Sequence, residues 1–385
     1  MGIWEMNRFS TLCIGVLLSV IVLYSTAASQ PYEIGHRSHT FIDPSRNNRQ
    51  IPTEVYYPAV TEGDDVPVAP PMDLPYPLVS FGHGYLMGWE SYENIWTALV
   101  PEGFVVALPR TEMALFPDHM DLGLDLAFVI SALRTENNVP TSPYFAVLDS
   151  AAAVMGHSMG GGASVLAAAS DTTMNAVANM AAAETNPSAI AAAASVVVPV
   201  LMFSGSNDVV APPDDHQIPI FNALASDAKV HATITGASHC QFAEYNFTCE
   251  LGEIGGPGPD ISRAEQHEIV NRLLLPWLRA VLFDDIDEWY VFEDSLAAET
   301  GISVDFHCSG VPPRSPQGLT ISVENGIATL SWSAVPWVSA YRIYASDRAW
   351  LPFESWEFVS EIPESLSWTG PVSSDERYFR ITAIR

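Results

Sequence analysis

The segment Gly156-His157-Ser158-Met159-Gly160 places one serine between two glycines at the spacing a sharp strand-to-helix elbow requires. Such an elbow lifts the serine hydroxyl clear of the backbone, and only glycines let strand and helix pass at that distance. The flanks fit: residues 150–155 read as a short buried strand, and residues 161–170 as a helix of small side chains. The chemistry this points to is acyl transfer through a covalent serine intermediate.

A serine hydroxyl is a weak nucleophile at neutral pH, so a histidine must take its proton and a carboxylate must hold that histidine in the right tautomer. Residues 196–203 form a strongly apolar strand candidate that runs into Ser204-Gly205-Ser206-Asn207-Asp208. Asp208 is the expected acid, with Asp214 and Asp215 as nearby rivals. The next extended segment, residues 230–235, ends in Gly236-Ala237-Ser238-His239, which makes His239 the expected base. The developing oxyanion needs backbone donors. The amide of Met159 is one, and that of Tyr85, after the strand 78–81 and Gly82-His83-Gly84, is the other. His83 and His157 are read as loop-shaping neighbours. His216, His231 and His267 show no metal-ligand spacing, so neither metal nor cofactor is expected.

These motifs, together with Asn207–Pro212 and the closing Pro276-Trp277-Leu278-Arg279, resemble segments of bacterial cutinases and polyester hydrolases over about residues 35–295. The stretch from Phe81 to Pro109 is also similar to chlorophyllases and platelet-activating-factor acetylhydrolases, in the same wider group of α/β-hydrolases. The resemblance implies Ser158 as nucleophile, Asp208 as acid, His239 as base, and the amides of Tyr85 and Met159 as oxyanion hole. Polyester-degrading members carry a tryptophan after the strand preceding the acid strand. Here the matching residues 180–187 contain no aromatic. Tyr85, Trp89 and Glu184 are the expected substrate contacts, the last disfavouring anionic substrates. Leu86, Met87, Met113, Leu115 and Phe116 are candidates to line an acyl pocket.

Positioning these groups calls for an α/β-hydrolase fold: a mostly parallel sheet with helices on both faces. Strands are expected near residues 53–57, 78–81, 104–108, 151–155, 196–203 and 230–235, with helices near 122–133 and 264–281. The chain has 385 residues, enough for this domain and a smaller one. Residues 1–29, with an apolar run of signal-peptide length ahead of small residues, read as a leader, so a secreted product is expected. Any membrane contact would be through that leader alone. The catalytic domain is expected over residues 30–305 and a Pro/Gly-rich linker over 306–318. Residues 319–385 follow as a small all-β sandwich, similar to a fibronectin type III module. Trp332 and Tyr341 are expected in its core, and Trp337, Trp350 and Trp356 on a face that binds a surface or another protein.

Cys240, Cys249 and Cys308 remain after the leader. Cys240 with Cys249 closes most easily, and Cys249 with Cys308 is the open alternative. A formal net charge of −29, with Lys229 as the only lysine, excludes nucleic acid and anionic membrane surfaces as partners. Asp284-Asp285-Ile286-Asp287-Glu288 lacks the pattern of a calcium loop and reads as a solvated helix end. The expected function is ester hydrolysis by a secreted monomer. Amide hydrolysis by the same residues, or non-catalytic surface binding on a hydrolase scaffold, are the alternatives.

Overall fold

Two long strands, β1 (Glu33–Asp43) and β2 (Arg49–Ala59), open the fold as an antiparallel pair, followed by the two-residue β3 (Gly63–Asp64). The computed structural model describes residues 32–372 and 377–385, so the expected leader lies outside the described residues. Next come β4 (Tyr76–Gly82), α1 (Glu93–Leu99), β5 (Val105–Pro109), α2 (His119–Glu136), β6 (Leu148–His157) and α3 (Met159–Ser170). After these lie β7 (Ala176–Met180), α4 (Ala189–Ala193), β8 (Val200–Gly205), α5 (Gln217–Ala223) and β9 (Ala228–Ile234). The body ends with α6 (Phe247–Gly252), α7 (Arg263–Leu282), α8 (Ile286–Ala298) and β10 (Ile302–Cys308).

These strands form one ten-stranded sheet, ordered β10-β9-β8-β7-β6-β4-β5-β2-β1-β3. The six from β9 to β5 run parallel, whereas β2 and β10 join antiparallel. Strands β4, β5, β7 and β8 are buried at every residue, because both faces of the sheet are covered. Apolar side chains of α1, α7 and α8, among them Trp96, Trp277 and Phe292, pack on one face. Those of α2, α3 and α5, among them Leu126, Val165 and Phe221, pack on the other. The mostly parallel sheet with helices on both sides is therefore present. Its carboxyl edge, where ligands bind in such sheets, presents the loops after β4, β6, β8 and β9 together.

The structure departs from the sequence expectation in four elements. The strand expected from Val196 starts at Val200, because the chain is still leaving the turn at residues 194–195 that ends α4, and Pro199 offers no ladder donor. Strand β7 is the one that precedes the acid strand, to which the sequence pattern sets no bounds, and helix α6 is not among the elements expected. Strand β10 carries the sheet through Phe306, His307 and Cys308, residues expected in the linker. Its alternating apolar side faces the core formed by α7 and α8. Asp285 is the N-cap of α8, accepting from the amides of Asp287 and Glu288, so the acidic run there is a helix start.

Beyond residue 318 the chain forms two three-stranded antiparallel sheets. One contains β11 (Thr320–Glu324), β12 (Ile327–Ser331) and β15 (Ser367–Pro371). The other contains β13 (Ala340–Ser346), β14 (Glu357–Pro363) and β16 (Tyr378–Ile384). Leu330, Trp332, Tyr341, Ile343 and Ile381, drawn from both sheets and the loop between them, share one small core. Trp337 is not on an exposed face. It stacks on Phe306 of β10 at 4.9 Å, and its indole N–H donates to the Glu293 carbonyl at 3.2 Å. Arg385 lies over the Phe306 ring and pairs with the fully buried Glu293 carboxylate of α8. Among the described residues no helix is long and apolar enough to cross a membrane.

Candidate active site

Ser158 sits at the junction of β6 and α3 with φ 55° and ψ −120°, the strained backbone expected of an elbow. The close pass beside it is real: a Cβ on Gly160 would lie 2.1 Å from the Gly82 carbonyl oxygen. The Ser158 amide donates to the Met180 carbonyl at 3.0 Å, and its carbonyl accepts from Ala183 at 2.9 Å. The loop after β7 thus grips the serine backbone from both ends.

Asp208 and His239, both buried, meet across 2.7 Å between Oδ2 and Nδ1. The other carboxylate oxygen accepts from the amides of Val210 and Ala211 at 2.9 and 2.8 Å. With Nδ1–H committed to Asp208, the neutral ring keeps Nε2 as its acceptor. Asp214 and Asp215 are exposed. Gln217, fully buried, donates to the carbonyls of Ala182 and Ala211 at 2.6 and 3.2 Å. It therefore ties the loop after β7 to the loop of Asp208. His231 bonds Ser204 beneath them at 2.7 Å.

The loop of His239 is braced on both sides. Gln266 exchanges two hydrogen bonds with the backbone of Ser238, at 3.2 and 3.0 Å. The Glu253 carboxylate accepts from the Ser238 hydroxyl at 3.2 Å and the Cys240 amide at 3.0 Å. Cys240 is disulfide-bonded to Cys249 of α6, which closes the pairing left open by the sequence and leaves Cys308 a buried free thiol. Burial pushes that thiol up to about 12.

A buried hydrogen-bond chain connects the remaining loops. The Gly84 amide donates to the Tyr92 hydroxyl at 2.6 Å, and that hydroxyl lies 3.1 Å from His157 Nδ1. His157 Nε2 lies 3.1 Å from the His239 carbonyl, which can only accept. The directions follow: Nε2 carries the proton, Nδ1 accepts from Tyr92, and His157 is neutral. Complete burial and the neighbouring His239 hold its ionisation well below the ordinary histidine value. No hydrogen bond joins Ser158 to His239 among the described residues, a common state for such a pair before substrate binds.

Tyr85 and Met159 keep their backbone amides free of hydrogen-bond partners among the described residues. Tyr85 is half exposed, with its hydroxyl donating to the Leu115 carbonyl at 2.8 Å. His83 shapes the same loop by bonding the Thr111 carbonyl at 2.7 Å. Two expected substrate contacts have other duties. Glu184 accepts from the Ile190 amide at 2.9 Å, capping α4, while its own amide donates to His216 at 2.9 Å. Trp89 packs against Arg110, 5.1 Å from its guanidinium. Met87 is buried in the core, whereas Leu115 and Phe116 are exposed, Phe116 at 93%. Val209 and Val210, in the loop after β8, and Phe247 and Ile254, at and beyond α6, are also exposed. Among the described residues no group of His, Cys, Asp or Glu could hold a metal ion.

Tyr92, Gln217, Gln266 and Glu253 were not foreseen as site residues. Only His157 carried a local signal, its place beside the serine. Comparison with curated proteins finds no match. The model of the family described as PET hydrolase-like matches residues 52–255, which holds the elbow, the Asp208 loop and the His239 loop. With more than half of its length matched and its parallel sheet presenting those loops at one edge, the chain belongs to the PET hydrolase-like family.

Proposed function

We propose that this protein is a secreted serine ester hydrolase that works through an acyl-enzyme. Family membership supports hydrolysis of ester bonds. The observation that carries the serine mechanism is the 2.7 Å bond between the buried Asp208 and His239, at the same sheet edge as the strained Ser158. In this reading Ser158 Oγ attacks the ester carbonyl while His239 Nε2 takes its proton. Negative charge gathers on the carbonyl oxygen, where the amides of Tyr85 and Met159 receive it. His239 passes the proton to the departing alcohol, then draws one from water as the acyl group is released. Asp208 holds the imidazole and stabilises its charged form throughout.

The Cys240–Cys249 disulfide supports export to an oxidising compartment. The formal charge of −29 favours neutral over anionic substrates. The exposed Leu115 and Phe116 after β5 and Val209 and Val210 after β8, loops that leave the same sheet edge, suit an apolar acyl or polymer segment. The C-terminal sheets we read as a fibronectin type III-like module on the strength of their strand motifs.

The test pairs the full chain with its Ser158→Ala variant on p-nitrophenyl esters of increasing acyl length and on peptide anilides. Ester turnover is expected to exceed anilide turnover, and Ser158→Ala to lower it by about 10⁴-fold or more with folding retained. Anilide turnover above ester turnover would make the protein an amidase. Full ester activity in Ser158→Ala would remove the serine mechanism.

A further inference from the structure

The outer face of the sheet β14-β13-β16 carries an aromatic cluster that the body's chemistry does not use. Phe358, Tyr344 and Arg380 lie side by side across the three strands. They point away from the core, since their neighbours Ile343 and Ile381 are the buried ones. Phe353 meets Tyr344 edge-on at 4.8 Å. The Arg380 guanidinium lies 5.0 Å from each of the rings of Phe353 and Trp356, which fixes both rings against the sheet. Trp350, on the adjoining loop, is 75% exposed, and Phe358 is 55% exposed. An exposed group of large rings, held in place yet contributing nothing to the core, is unusual on a soluble protein and marks a contact surface.

Charge and hydrogen-bonding capacity identify the partner. Over residues 340–361 and 377–380, Arg342, Arg348, Arg377 and Arg380 match Asp347, Glu354, Glu357 and Glu361 in number, so these eight charges cancel within a chain of formal charge −29. Arg377 is engaged with Glu357 at 2.6 Å and Asp347 at 3.7 Å, and Arg380 with the two rings. Residues 338–385 contain no Asn, Gln, His or Lys, so the face lacks the side-chain amides that recognise sugar hydroxyls. What is left is a neutral, ring-rich surface suited to a flat apolar solid that offers few hydrogen bonds. We propose that this face is a docking surface for a neutral solid ester polymer, the class of substrate on which the proposed ester hydrolase then acts.

The test uses the full chain carrying Ser158→Ala, so that the solid is not consumed, and measures adsorption to poly(ethylene terephthalate) and polycaprolactone particles, with cellulose and chitin in parallel. Adding Trp350→Ala, Phe353→Ala and Phe358→Ala is expected to weaken adsorption to the polyesters by about tenfold. The same three substitutions with Ser158 intact should leave p-nitrophenyl butyrate turnover unchanged, which shows that the fold is kept. If the triple variant does not fold, Trp350→Ala with Phe358→Thr is read in its place, both positions being exposed. Unchanged adsorption, or stronger adsorption of the parent to cellulose or chitin than to polyester, overturns the proposal. Absence of ester turnover in the parent bears on the catalytic reading alone, since adsorption is measured without it.

Discussion

His157, the neighbour of Ser158, holds the main-chain carbonyl of His239 at 3.1 Å through its Nε2–H. The two imidazole rings are 4.7 Å apart, yet they serve different ends. One orients backbone; the other has its Nδ1 fixed by Asp208 and its Nε2 left to accept. Through Tyr92 the same chain reaches the Gly84 amide, one residue before Tyr85. Three loops that must agree in position are thus joined by hydrogen bonds rather than by packing alone.

Tyr92→Phe tests that coupling. It removes the acceptor of the Gly84 amide and the donor to His157, leaving two buried polar groups unpaired. Stability should fall by about 1–3 kcal/mol. On a soluble ester, kcat should fall about 10-fold or more with KM little changed, because the loops drift from the geometry the transition state needs. A variant with wild-type kcat and unchanged melting temperature would show that the chain does not organise the site.

The Cys240–Cys249 bridge spans nine positions and begins at the residue after His239. Replacing both cysteines by serine should cost about 2–3 kcal/mol on the loop-entropy account. Glu253 and Gln266 still hold the loop, so activity at low temperature should survive. Thermal unfolding with and without reductant reads the first effect, and residual turnover in the double variant reads the second.

Acid should destabilise the fold before its carboxylates titrate. Burial lowers the pKa of both His157 and His231 in the folded state, His157 well below 6.5. In the unfolded chain each takes up a proton near pH 6.5. The unfolded state then binds more protons, so stability falls as pH drops through that value and is complete above it. For His157 the slope should approach about 1.4 kcal/mol per pH unit, with His231 adding in the same direction. Urea unfolding at pH 8, 6.5 and 5.5 measures it, and a flat profile across that range would contradict the buried neutral assignment.

Gly160→Ala should be severe. The added methyl would strike the Gly82 carbonyl, main chain that cannot step aside without moving the loop after β4. A loss above about 3 kcal/mol, or failure to fold, is expected. Soluble expression with an unchanged melting temperature would refute the close pass.

The strained turn at Ser158 and the pairing of Asp208 with His239 were legible because each rests on a local pattern: glycines at fixed offsets, and a carboxylate or histidine ending an apolar run. Tyr92, Gln217 and Gln266 were not, since their partners lie 65, 35 and 28 residues away in sequence and nothing local marks them. Strand β10 shows a different kind of miss. Its alternation of Ile302, Val304, Phe306 and Cys308 is plain, but the proline-rich stretch after it drew the expected boundary too early. Glu184 lies in the loop after β7, and Trp89 begins a 3-10 turn ahead of α1. Their hydrogen bonds and packing depend on α4 and Arg110, which composition cannot reveal.

The contact of Arg385 with Glu293 gives the C-terminal sheets a role in the integrity of the body. Glu293 is fully buried, and burial pushes its carboxyl up although Arg385 pulls it down. Its cation comes from the far end of β16, and the Phe306–Trp337 stack lies alongside. A fragment cut after Cys308 would uncover a hydrophobic wall and strand a carboxylate that has lost its counter-ion. Grafting this hydrolase onto another carrier, or exchanging the carrier beneath it, therefore means redesigning α8 and β10 as well as the peptide that joins them.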